Sequence, residues 1–169
     1  EYYVIAKACD KDGVCTTATS KSYKMDNERP VVAFSPTESK TYKKSQSVKI
    51  TVEDNTGVVN ASSLKYIISN TTTATPDKTL LNGATITIDS VTGIYYIIVE
   101  ACDGAGNCVI QPSGAYYIDN SVPTITYGTN GNSAYVKSVS TKVTANANTG
   151  EMNTIKYIVS TDKNATPTT

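Results

Sequence analysis

The 169-residue chain has no histidine, no tryptophan and a single phenylalanine, Phe34. Without an imidazole, neither a Ser-His nor a Cys-His nucleophilic pair can form. A tetrahedral zinc site would have to recruit carboxylates or a second set of thiols. An excess of either charge is missing too: 15 Lys and Arg balance 15 Asp and Glu. A balanced chain carries no basic footprint for nucleic acid or for an anionic membrane. No apolar run is long enough to cross a bilayer as a helix, and no stretch holds a helical period. The carboxylates are scattered, and nothing in their spacing sets up a glycosidase-like pair. The expectation is a protein that is not an enzyme and carries no cofactor. There is no initiator Met and no signal-peptide pattern. The chain opens inside a strand pattern and stops without a closing element, so we read it as an excerpt of a longer protein.

Thr, Ser, Val, Ile and 12 Tyr fill the apolar-rich runs, and these residue types fit a pleated, half-buried surface. Apolar residues make up 39% of the chain. That is thin for one large globule but adequate for small sandwiches. The dominant feature is an internal repeat. At an offset of 93 residues Cys9 aligns with Cys102, Cys15 with Cys108, Asp26-Asn27 with Asp119-Asn120, and Pro30 with Pro123. Tyr42 aligns with Tyr135, and Asn55-Thr56-Gly57 with Asn148-Thr149-Gly150. After a two-residue deletion, Lys65-Tyr66-Ile67-Ile68-Ser69 aligns with Lys156-Tyr157-Ile158-Val159-Ser160. The repeat divides the chain into the tail of one unit (1–26), a complete unit (27–119) and the head of a third (120–169). Asp-Asn-x-x-Pro makes a short, stiff joint because proline fixes φ and biases the residue before it toward extended geometry.

Within the complete unit, strands are expected over 31–34, 47–53, 64–69, 84–88, from 94 into the cysteine turn, and up to 118. Turn clusters rich in Gly, Pro, Asn and Asp separate them. The lysines of 40–44 read as a guarded, solvated edge strand. About seven short strands in some 90 residues is the pattern of a Greek-key sandwich. In the Tyr-Tyr strand, the charges at Glu100 and Lys7 mark one face as outward. Tyr95, Ile97, Val99 and Ala101 then face the core, and Cys102 lies on the outer face.

The run Tyr95-Tyr96-x-x-Val99-x-Ala101-x-Asp103-x-Ala105-Gly106-Asn107, followed by Tyr117-Ile118-Asp119-Asn120-x-x-Pro123, resembles the tandem immunoglobulin-like (Big-type) domains of bacterial surface and secreted proteins. The resemblance implies an all-β tandem of immunoglobulin-like Greek-key sandwiches, one complete and two partial. It implies a last hairpin closed by the Ala-x-Asp-x-Ala-Gly-Asn segment, and an extracellular role as stalk, spacer or adhesin part. It brings no catalytic residues. The first copy departs from the motif, reading Asp10-Lys11-Asp12-Gly13-Val14, so its turn need not have the same shape.

Five constellations remain as candidates. Cys9 with Cys15, and Cys102 with Cys108, each flank a turn with five residues between. A disulfide in an oxidising compartment is expected, against the alternatives of a metal site or free thiols. The acidic turn at Asp10 and Asp12 lacks the downstream glutamate of an EF-hand. The joint Asp119-Asn120, with Asp54 and Asp103, is a possible interdomain calcium site set against simple turn formation. Lys49 and Lys65 are candidates for amide crosslinks. Tyr3 and Tyr96 are candidates for a glycan-stacking strip, set against packing on the neighbouring strand. The sequons at Asn60, Asn70 and Asn164 are expected by chance in so Thr- and Asn-rich a chain. The reading is a structural spacer of an extracellular, cell-surface or secreted bacterial protein, with neighbouring repeats as its partners. The alternatives are a module that binds glycan or a host surface protein, or an accessory domain of a large secreted hydrolase. Both partial units are expected to be poorly supported, with apolar edges exposed.

Overall fold

The structure, a computed structural model, describes residues 1–149 and 152–168. Gly150, aligned with Gly57 in the repeat, lies outside the described residues. The described chain is all-β. Its strands are β1 (Ile5–Cys9), β2 (Cys15–Thr19), β3 (Val31–Ser35), β4 (Ser39–Lys43), β5 (Gln46–Glu53), β6 (Lys65–Ser69), β7 (Lys78–Thr79), β8 (Thr85–Ile88), β9 (Gly93–Cys102), β10 (Cys108–Pro112), β11 (Tyr116–Ile118), β12 (Thr124–Tyr127) and β13 (Val143–Asn146). One 3-10 turn, Ala61–Ser63, precedes β6 and is capped by the Asn60 side chain.

Two sheets make up the centre of the chain. One runs β3-β5-β8, and the other runs β4-β11-β9-β6-β7 with β10 also paired to β9. All pairs are antiparallel except β4 with β11. The period of two along β5 decides its packing. Gln46, Val48, Ile50 and Val52 are buried, while Ser47, Lys49 and Glu53 are exposed. Across the core, Ile97, Val99 and Ala101 of β9 meet them in one apolar cluster that also takes in Leu64, Leu80, Ile88, Tyr116 and Ile118. Two sheets sharing one buried cluster is the arrangement a β-sandwich requires.

The core face of the Tyr-Tyr strand is therefore as expected, but its outer face is not simply polar. Ile98 is fully buried although it belongs to that face. Its cross-strand partners are Ile67 on one side and Pro112 on the other, and they cover it. The lysine-rich stretch is the edge strand β4, as its composition indicates. It pairs with β11, and the Tyr42 ring packs against Tyr117 with the planes tilted by 51° and the centroids 5.2 Å apart. The short edge strand β7 lies between the strands expected over 64–69 and 84–88 and pairs with β6.

β10 and β11 run along the same side of β9 and are separated by a break at Ser113. There the Ser113 amide donates to the Ile97 carbonyl at 2.8 Å, and the Ser113 Oγ accepts from the Ile97 amide at 2.9 Å. The same break occurs 93 residues earlier. The Ser20 amide donates to the Val4 carbonyl, and the Ser20 Oγ accepts from the Val4 amide, both at 2.9 Å. The bridge Tyr2↔Tyr23 repeats the pair Tyr95↔Tyr116. The register of β1 with β2 repeats that of β9 with β10, and β12 with β13 repeats β3 with β5. The sequence repeat is thus a repeat of hydrogen-bond register.

Packing does not repeat in the same way. Every buried residue among those described lies between Pro30 and Ile118. Tyr2, Val4 and Ile5 are exposed at one end of the chain, as are Ile125, Tyr127, Ile155, Tyr157 and Val159 at the other.

Candidate functional site

The turn between β9 and β10 is built on Asp103. Burial disfavours its charge, but its hydrogen bonds outweigh that effect and hold its carboxyl below the usual carboxylate range. The Asn107 side chain donates at 2.7 Å, the Asn107 amide at 2.8 Å and the Gly106 amide at 2.6 Å. The ring is closed by the Asp103 amide donating to the Asn107 carbonyl at 3.0 Å. Cys102 and Cys108 are directly opposite in the ladder and joined by a disulfide, as are Cys9 and Cys15. No free cysteine remains.

The first copy keeps this plan with different residues. Asp10 accepts from the amides of Asp12 and Val14, each at 2.9 Å. Gly13 holds φ at 82°, as the aligned Gly106 does at 98°, and this left-handed geometry favours glycine. The difference falls at Gly104, which aligns with Lys11. A Cβ on Gly104 would lie 2.7 Å from the Val58 side chain. In the complete unit the loop after β5 presses on the turn, and the Gly104 amide donates to the Val58 carbonyl at 2.9 Å. At Lys11 the chain is exposed and carries a side chain freely.

This loop brings a second acid to the turn. Asp54 caps its own turn, accepting from the Thr56 amide at 2.9 Å and the Thr56 hydroxyl at 2.5 Å. The joint before β3 supplies a third. Asp26 accepts from the Glu28 amide at 3.1 Å and the Asn55 side chain at 3.4 Å. Its carbonyl accepts from the Asn107 side chain at 3.1 Å. Carboxylate oxygens of Asp26, Asp54 and Asp103 lie within 4.8 Å of one another.

The acid set proposed from sequence is therefore corrected at one member. Asp119 does not join Asp54 and Asp103; Asp26, its repeat equivalent, does. Strand direction explains why. β5 ends at the Asp54 turn and β9 ends at the Asp103 turn. β3 runs antiparallel to β5, so the chain enters the unit at that end. β11 runs antiparallel to β9, so the chain leaves at the other. There the Asp119 amide donates to the Lys43 carbonyl at 2.9 Å. The Asn120 side chain donates to the carbonyls of Lys44 and Val91 at 2.8 and 2.9 Å. The Ser121 hydroxyl, with Thr149 contributing next, holds the Asp119 carboxyl below its ordinary range.

The other candidates stay apart from this cluster. Lys49 and Lys65 are both exposed, and Lys65 faces Glu100 across the ladder. Tyr3 is exposed, while Tyr96 is half-buried opposite Ser69. Comparison with protein-family models, with curated proteins and with solved structures gives no match.

The disulfide beside the cluster closes a loop of about seven residues, and loop entropy assigns it roughly 2 kcal/mol. Replacing both Cys102 and Cys108 by Ser is expected to lower the melting temperature of the central unit by roughly 10 °C. Replacing Cys9 and Cys15 should leave that transition in place. Differential scanning calorimetry of the two double variants checks this, and equal shifts would refute it.

Proposed function

We propose that this chain is a stretch of tandem immunoglobulin-like modules, one whole and parts of two neighbours, that serves as a spacer or stalk in an extracellular bacterial protein. The observation that carries the reading is the repeated hydrogen-bond register at a 93-residue offset, including the Ser20 and Ser113 breaks. The strand orders β3-β5-β8 and β4-β11-β9-β6-β7 support a Greek-key immunoglobulin-like topology. In it the first edge crosses from one sheet to the other between β3 and β4. Entry at the Asp54 end and exit at the Lys43 end support head-to-tail stacking. Two disulfides support an oxidising, extracellular setting. In such a protein the work is geometric: joints fixed by proline and by side-chain hydrogen bonds set the distance between what lies at either end.

Small-angle X-ray scattering tests the reading. At about 3.3 Å per residue over a ten-residue strand, units in line approach a maximum dimension of roughly 100 Å. A radius of gyration near about 15 Å, the value for a compact chain of this length, would overturn it.

A further inference from the structure

We propose that Asp26, Asp54 and Asp103 form a calcium site at the joint where the chain enters the complete unit. The first observation is their convergence: carboxylate oxygens from three separate segments lie within 4.8 Å of one another. Oxygens on opposite sides of one Ca²⁺ are about 4.6 to 5.2 Å apart, twice the ligand distance, so a single ion fits between them. The second observation is independent of the first. Asp26 Oδ2 and Asp54 Oδ1 are shut off from solvent and have no hydrogen-bond partner. A buried carboxylate oxygen without a donor is costly, and a cation is the group that satisfies several at once. Asp103 is 1% exposed, and its Oδ2 accepts one hydrogen bond, from Asn107.

No cationic side chain does this work. The two ion pairs among the described residues, Lys11 with Asp12 and Lys40 with Glu38, include none of the three acids. The donor set selects the metal. It is all oxygen, there is no His, and every Cys is in a disulfide, so the site suits a hard cation rather than zinc. The acids sit on loops rather than on a rigid octahedral frame, which favours Ca²⁺ over Mg²⁺. Asp26 precedes the unit while Asp54 and Asp103 belong to it, so a bound ion would lock the joint in one orientation. The next joint provides a contrast. Asp119 takes the place of Asp26 there, but Ala147 stands at the position of Asp54. The carboxylate at this position is thus dispensable for the repeat.

Isothermal titration of the full chain with CaCl₂ tests the site. One Ca²⁺ per chain is expected, at the 10⁻⁴ to 10⁻³ M dissociation constants of extracellular modules, with a higher melting temperature in Ca²⁺ than in EDTA. Asp26→Asn and Asp54→Asn should each weaken binding by about tenfold or more, the loss of one charged ligand. Asp10→Asn, at the aligned turn of the first copy, should bind as the unsubstituted chain does. Saturable binding that is absent at about 10 mM Ca²⁺, well above that range, would overturn the proposal. So would Asp54→Asn and Asp10→Asn behaving alike. The site stands or falls by this titration whatever the scattering profile says of the spacer reading.

Discussion

Tyr116→Ala is expected to destabilise the central unit by about 3 to 5 kcal/mol, the range for deleting a fully buried aromatic ring. The same substitution at Tyr23, its repeat equivalent, should fall within about 0.5 kcal/mol. Both tyrosines occupy the same register position opposite another tyrosine. Tyr116 is 0% exposed and its hydroxyl donates to the Pro36 carbonyl at 2.6 Å, whereas Tyr23 is 54% exposed. Against a typical total stability of about 5 to 15 kcal/mol, the first loss is a large share of the whole. Urea denaturation followed by far-UV circular dichroism measures both, and equal effects would show that the packing difference is not real. Burial also raises the Tyr116 pKa. The stability this group contributes is therefore fully present below about pH 10, the unfolded value, and is lost as pH rises through the higher folded value. Tyr116→Phe should remove that part of any alkaline destabilisation.

Limited proteolysis is expected to remove both ends of the chain and leave a resistant core bounded near residues 29 and 119. Cleavage of a native chain follows local opening, which is cheapest where few apolar contacts are buried. β1 and β2 are exposed at every position, and β12 likewise. Among the described residues, burial begins at Pro30 and ends at Ile118. A broad-specificity protease followed by intact-mass measurement locates the cuts. Digestion at equal rates along the chain would remove the division into a complete unit and two partial ones. A resistant core beginning before Asp26 would instead show that the joint is held by its contacts with Asn55 and Asn107.

The alternation of Val48, Ile50 and Val52 with Lys49, Thr51 and Glu53 was enough to place β5 and its buried face, because a strand has a period of two and one face must leave water. The Cys-x₅-Cys spacing and the 93-residue offset were enough to place two hairpins in one register. The outer-face burial of Ile98 was not legible, because it depends on Ile67 and Pro112, which reach it only once β6 and β10 flank β9. The Ser113 break was also missed. Serine there looks like an ordinary turn residue until its hydroxyl is seen replacing a backbone partner of Ile97.

The stapled turn shows the same boundary between local and long-range information. By itself the sequence determined the all-β class, the repeat, the cysteine pairs and the turn at Asp103, since each depends on residues close together in the chain or on self-similarity. Only the tertiary structure decided that Gly104 must lack a side chain, that Tyr116 is buried and Tyr23 is not, and that Asp26 rather than Asp119 meets Asp54 and Asp103. These depend on which segments approach from far away in sequence. Strand direction and sheet packing, not local pattern, settle that approach.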